Sequence, residues 1–321
     1  MKARIGVLTR SGDAHAYAIR HALGLRGIVC AIVETDAIAT SGGLSWLLAD
    51  VPSARLPTNE GGVVDVADLD LIWWRRFTGA PKLPEWLTDP AARDLVEREC
   101  RVTLVGAALT VFGGTWVSDP EATRLAENKL VQLAAGRRVG LRMPRTLISQ
   151  DPATIREFCS ELDHQVVIKT VAGTPLTPIM TGRIAPEMLA SDQALALCPA
   201  IFQELIPGKS HLRVCCFGDR THAALLTSDR LDWRYPLDAE AQSYRPDAML
   251  VDQLQAVMAQ LKLRMGIFDL KLAPDGEAVW LEINPQGQFL FLEGMCGMPL
   301  TDAFADFLVA EMEAPSSTRA F

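Results

Sequence analysis

Short apolar runs alternate with amphipathic stretches through the first third of the chain. Arg4–Thr9 reads as an apolar strand, Arg10–Gly12 as a polar loop, and Asp13 to about Arg26 as a helix. Ile28–Val33 and Leu69–Trp74 read as further strands, the second running straight into Arg75-Arg76. This β-α-β opening predicts a parallel α/β layer. Asp89–Phe112 is a long helical region that Gly113-Gly114 ends. Ser118-Asp119-Pro120 then offers a cap and an early proline, so a domain boundary and a new helix are expected there.

The pattern predicts one helix over Glu121–Ala135, closed by Gly136, and strands at Met143–Ile148 and Gln165–Val171 around another helix. Ala172–Pro186 is rich in Gly, Pro and Thr and reads as a flexible loop. Strands dominate afterwards: Ala200–Ile206, Leu212–Phe217 and Thr221–Thr227. A helix from about Leu250 to Leu263 precedes Ile267–Ala273 and Ala278–Asn284, which Pro274-Asp275-Gly276 joins as a hairpin. A last helix, Leu300–Met312, leads into a polar tail that is expected to be disordered.

Length narrows this picture: 321 residues suggest about two domains, or three small ones. With 22% charged and 49% hydrophobic residues, the balance is that of a soluble globular protein. A net charge of −8 argues against a general nucleic-acid binder. No apolar stretch approaches a membrane span or a signal peptide. Seven cysteines without CxxC spacing read as reduced thiols, so a cytoplasmic protein is expected. The first loop, Thr9-Arg10-Ser11-Gly12-Asp13, is not GxGxxG, and no Walker GxxxxGK[ST] occurs.

Four groups of residues carry candidate chemistry. Alternation puts Asp269 and Lys271 on one face of their strand, and Glu282 and Asn284 on one face of theirs. If the hairpin pairs, Asp269, Glu282 and Asn284 converge as a hard-oxygen site of the kind magnesium prefers; the alternative is a half-exposed hairpin with its polar residues outward. Lys129 falls on the apolar side of its expected helix, where it either snorkels or meets an anion beside Asn128 and the strand-ending Lys169. Gln203-Glu204-Leu205-Ile206 ends a strand at Pro207-Gly208, where free backbone groups can read an adenine edge, although many strands end this way. Lys209, His211 and Arg213 point one way along a strand, either to solvent or toward the hairpin as a phosphate clamp.

Read in order, these pieces resemble the ATP-grasp superfamily. Lys129 and Lys169 match its phosphate lysines, Gln203-Glu204-Leu205-Ile206 its adenine hinge, Arg213 its phosphate arginine, and Asp269, Glu282 and Asn284 its metal ligands. Lys209 falls among the nucleotide contacts on the same grounds. The resemblance implies an α/β ATP-grasp fold with an N-terminal pre-ATP-grasp α/β domain over 1–118, a central domain over 119–206, a C-terminal domain over 207–313 and a tail over 314–321. Within the superfamily the chain resembles the microviridin-type peptide ligases, or graspetide synthetases. That likeness sits at Trp73-Trp74-Arg75-Arg76, Asp119-Pro120, Asn128-Lys129, Met143-Pro144-Arg145-Thr146, Asp232-Trp233-Arg234 and Glu282-Ile283-Asn284-Pro285 with Gly287-Gln288. Two departures stand out: His211 occupies a position where the family usually has an acid, and Pro207-Gly208 follows the hinge.

The resemblance implies ATP and Mg2+ as cofactors and a precursor peptide with a leader segment as partner, with neither nucleic acid nor membrane and with a homodimer left open. It implies that a carboxylate is activated as an acyl phosphate and then joined to an amine or hydroxyl. Lys129 and Lys169 would hold phosphates, and Arg213 would stabilise the transferring phosphoryl. The Ala172–Pro186 loop would close over the nucleotide, unless it is an ordinary surface loop. Arg234 would meet the substrate carboxylate or else form a surface ion pair, and Trp73 and Trp74 fit strand packing better than a ligand platform. Two other functions stay open: a ligase that adds a free amino acid to a carboxylate, and a nucleotide-binding regulator without turnover.

Overall fold

The computed structural model describes residues 4–77, 81–173, 179–234 and 239–314. Residues 174–178 of the expected loop and 315–321 of the expected tail lie outside the described residues. Contacts divide the chain into two units, Met1–Pro120 with Pro299–Phe321, and Glu121–Met298.

In the first unit β1 (Ile5–Thr9) lies between β2 (Cys30–Glu34) and β3 (Leu71–Trp74), and β4 (Thr115–Val117) flanks β3; all the pairings are parallel. Burial explains why these strands are continuous apolar runs instead of alternating ones. Trp73 and Trp74 are buried, as strand packing requires. Helix α1 (Ala14–Leu25) starts where Asp13 accepts the His15 N–H at 3.1 Å. The same carboxylate takes the fully buried Arg75 at 3.2 Å, which ties the end of β3 to the start of α1. The long helix α2 (Pro90–Val111) packs on a three-stranded antiparallel sheet (Ser45–Leu47, Ser53–Pro57 and Val63–Asp65) that the sequence pattern did not disclose. Leu300–Glu313 packs against α1. The cysteines are free thiols, and no helix among the described residues is long and apolar enough to cross a membrane.

The second unit holds two antiparallel sheets. In one, β5 (Thr146–Ser149) and β6 (Val166–Lys169) flank β8 (Ala200–Glu204), with the short β7 (Gly182–Arg183) at the edge beside β6. The other runs β11 (Glu240–Tyr244), β10 (Arg220–Thr227), β9 (Ser210–Phe217), β12 (Met265–Leu272), β13 (Ala278–Asn284). Its covered face is a core that includes Phe268, Leu270, Trp280 and Ile283, closed by the helix Ala248–Gln260.

The single helix expected over Glu121–Ala135 is instead two, Pro120–Ala126 and Lys129–Arg138. Asn128 makes the break: its side-chain oxygen accepts from the Leu130 N–H at 3.0 Å, and a capping asparagine satisfies amides that a continuous helix would have bonded internally. Lys129 is therefore the first residue of a helix, not the centre of an apolar face, and Leu125 is half exposed. The second helix, called the lysine helix below, sits against β13 by two devices. The Gln132 side chain donates to the Ile283 carbonyl at 2.8 Å and accepts the Ile283 N–H at 3.1 Å. Gly136 lies under the Trp280 ring, where an added Cβ would come within 2.1 Å of a ring carbon.

Gly136→Ala is thus expected to destabilise the protein by about 1–3 kcal/mol, since the fully buried Trp280 has no free volume to move into. Urea unfolding measures this. An unchanged midpoint would mean that the helix and strand are not held at that separation.

Candidate active site

The hairpin of β12 and β13 sets the site. Asp269 and Glu282 are register partners, so two carboxylates stand side by side on facing strands. The register then slips: Leu270 pairs with Trp280, leaving Leu281 as the extra residue of a bulge. A bulge re-aims side chains. Here Trp280 and Ile283 both enter the core, while Leu281 and Glu282 both line the cleft. Strict alternation along the sequence could not have found Leu281 there.

Cations from other segments reach this pair. The Lys129 ammonium pairs with the Glu282 carboxylate. Arg234 reaches the other Glu282 oxygen at 3.3 Å and holds Asp232 at 2.7 and 2.8 Å. Arg213, across the sheet on β9, grips both Asp269 oxygens at 2.7 and 2.8 Å and the Gln288 carbonyl at 2.7 Å. Its guanidinium lies 5.7 Å from the ring centres of Trp233 and of Phe291, which shield it. Lys169, at the end of β6, has no carboxylate within bonding reach among the described residues and donates to the neutral Gln203 side chain at 2.7 Å.

Between the sheets lies a cleft in two lobes that share Lys169, Gln203, Arg234, Leu281 and Glu282 as walls. One lobe, about 680 Å³, is lined by Glu204, Leu205, Ile206, His211, Asp269 and Lys271. The other, about 940 Å³, is lined by Lys129, Gln132, Thr170, Ile179 and Asn284. Asn284 presents its side chain there while its oxygen accepts the Gln286 N–H at 3.0 Å. Most of the expected residues thus meet at one cleft. Lys209 does not: it is exposed, pairs with Asp229 and lines neither lobe, because β9 begins only at Ser210.

The electrostatics follow from burial. It opposes ionisation of Glu282, but Lys129 and Arg234 outweigh it and hold the carboxyl below its ordinary range. Burial pushes Lys169 down to about 8, and neighbouring Lys129 and Arg234 add to that against the pull of Glu282. His211 is pushed down to about 4 by burial and by Lys271, so it is a neutral imidazole at neutral pH, and among the described residues its Nε2 has no hydrogen-bond partner. Counted together, the lining residues Lys129, Lys169, Arg234 and Lys271, with Arg213 bonded to Asp269, face Glu204, Asp232, Asp269 and Glu282: five cations and four carboxylates. The surplus is positive, and a half-buried lysine whose partner among the described residues is a neutral acceptor marks where an anion fits. Two paired carboxylates and an amide oxygen are likewise a donor set that fits a hard divalent cation. Among the described residues no cluster of three or more His, Cys, Asp or Glu forms a separate metal site.

No family model matches the sequence, and comparison with curated proteins finds no match. Solved structures are similar over nearly the whole chain. The macrocyclase MdnC of Microcystis aeruginosa MRC, bound with the precursor peptide MdnA, aligns at TM-score 0.85 and 26% identity over 95% of this chain and 99% of its own. The macrocyclase MdnB of the same organism aligns at 0.79 and 29% over 96% and 99%. A RiPP-associated ATP-grasp ligase of Chryseobacterium gregarium, in complex with ADP and a leader and core peptide, aligns at 0.87 and 20% over 99% of both chains.

The Lys169 shift generates a prediction. A bound anion favours the charged ammonium, so binding near pH 8 takes up a proton, and affinity for a polyanion falls as pH rises through about 8. Lys169→Arg stays charged and should flatten that fall. Calorimetric titration with tripolyphosphate on both sides of this pH checks it, since titration of the anion itself is common to both proteins. Parallel wild-type and variant profiles would remove Lys169 from the anion site.

Proposed function

We propose, from the ATP-grasp fold that this chain has, that it is a ligase which activates a peptide carboxylate with ATP and joins it to an amine or hydroxyl of the same precursor peptide. The observation that carries the proposal is the cleft in which four cations surround a cross-strand pair of carboxylates. Its fit to nucleotide and metal is chemical. ATP brings the negative charge that Lys169 lacks as a partner, and its phosphates offer Lys129, Arg213 and Arg234 an alternative to Glu282 and Asp269. Asp269, Glu282 and Asn284 would hold magnesium, which would supply positive charge against the phosphates. The similarity to MdnC, whose structure contains a precursor peptide, supports a peptide as the carboxylate donor.

In this reading Gln203 to Ile206 meet the base, while Lys129 and Lys169 hold the phosphates so that the terminal phosphorus faces the incoming carboxylate. A carboxylate oxygen attacks that phosphorus, the bond to the bridging oxygen breaks, and ADP leaves with the electron pair. Arg213 and Arg234 stabilise charge on the transferring group and orient the carboxylate. The amine or hydroxyl then attacks the acyl carbon, phosphate departs, and the proton of the nucleophile passes to phosphate or solvent. Closing the cleft to water protects the acyl phosphate from hydrolysis.

Incubation with ATP, magnesium and a candidate precursor rich in Asp, Glu, Lys, Ser and Thr tests the proposal. Each bond formed should remove one water from the peptide mass and release one ADP. Glu282→Gln keeps shape but loses charge, and turnover should drop by about 10²–10³ or more with the fold retained by circular dichroism. ADP formation that no peptide stimulates, or near-normal ligation by that variant, would refute the assignment.

A further inference from the structure

Lys271 stands on β12 two residues from Asp269, yet its side chain takes no part in the carboxylate cluster. It is 7% exposed, and no carboxylate among the described residues pairs with it; its ammonium donates to the carbonyls of Ile206 at 3.1 Å and Gly208 at 2.7 Å. Removing an ammonium from water is costly unless its protons find acceptors. A buried lysine spent on two backbone carbonyls therefore needs a reason, and the segment that it grips supplies one. Ile206 continues β8 into the cleft wall. The preceding Leu205 N–H turns toward β6, donating to the Gln165 carbonyl at 2.9 Å. The Ile206 carbonyl faces Lys271, and among the described residues the Ile206 N–H makes no backbone hydrogen bond.

We propose that Lys271 is a positioning residue for base selection: by holding the Ile206 carbonyl, it fixes the Ile206 N–H as a donor aimed into the cleft. A fixed donor suits a ring nitrogen that accepts, as N1 of adenine does. It opposes one that carries a proton, as N1 of guanine does, and a site with a fixed donor rejects a ligand that offers a second donor there. Without the lysine, the Ile206 peptide is free to rotate and the discrimination weakens. The inference rests on the reading that residues 203–206 meet the nucleotide base.

Calorimetric dissociation constants for ATP and GTP, with magnesium, on the full chain test it alongside thermal unfolding. Wild type should prefer ATP. Lys271→Met should lose roughly tenfold in ATP affinity and much less in GTP affinity, so that the preference shrinks. Lys271→Arg, which can still donate to both carbonyls, should keep most of it. If the methionine variant fails to fold, Lys271→Gln, polar but too short to hold both carbonyls, is read the same way. Equal losses for the two nucleotides, as a merely structural lesion would give, overturn the inference. So does a wild type that binds ATP and GTP alike, although the nucleotide reading then survives. A wild type that binds neither overturns both.

Discussion

The close approach of the lysine helix to strand β13 is the constraint on which the cleft depends. Gly136 lets the Trp280 ring lie directly on the helix backbone, and Gln132 bonds both polar groups of Ile283. These contacts hold the helix at one height along the strand. Lys129 opens that helix, and Glu282 directly precedes Ile283, so their meeting is a consequence of packing and not of side-chain reach alone. A bulkier residue at either contact would move a charge at the cleft. Protein cores yield little to such displacements because they are close-packed.

A cluster of partly buried charges normally works against stability, since desolvation costs more than a single ion pair returns. Here the cost is contained by sharing. Glu282 serves Lys129 and Arg234, Asp269 serves Arg213 through both oxygens, and Asp232 orients Arg234. Among the described residues Lys169 is left with a neutral acceptor, and burial makes its ammonium easier to deprotonate. Such an arrangement is preorganised for an anion with several oxygens: the ligand replaces carboxylates as partner, and the carboxylates become free for a divalent cation. Little backbone movement is required, because every donor already stands on a strand, a helix terminus or a short turn.

Much of this was legible in the sequence. The Pro-Asp-Gly turn between two alternating strands gave the hairpin, and the hairpin gave Asp269 facing Glu282. Lys169 could be read from its place at the end of an apolar run, and Arg213 from its alternation with His211. Other parts were hidden for physical reasons. A helical wheel treats Glu121–Ala135 as continuous and cannot weigh Asn128 as a cap against Asn128 as a helix residue. A bulge has no residue signature, and strict alternation puts Leu281 on the face opposite Glu282. Lys209 shares the pattern of His211 but lies one residue before the strand, where nothing holds it to the cleft. The backbone partners of Lys271 come from a distant segment, which no periodicity encodes. The three short strands over 45–65 are too brief and too exposed to leave a clear pattern.

Two kinds of structure build the cleft. The wall that would hold a nucleotide comes from β6, β8, β9, β12 and β13, paired through ladders with one bulge between β12 and β13. The segment that carries Asp232, Trp233 and Arg234 lies outside those ladders and depends on side-chain contacts, and Arg234 is half exposed. Residues on connections vary more freely than residues inside ladders. An enzyme that keeps one co-substrate and changes the other would therefore conserve the sheets and alter the connections. On the proposed function, selection among peptide carboxylates would fall to the connecting segment around Arg234, superimposed on a nucleotide frame that the hairpin and the lysine helix hold still.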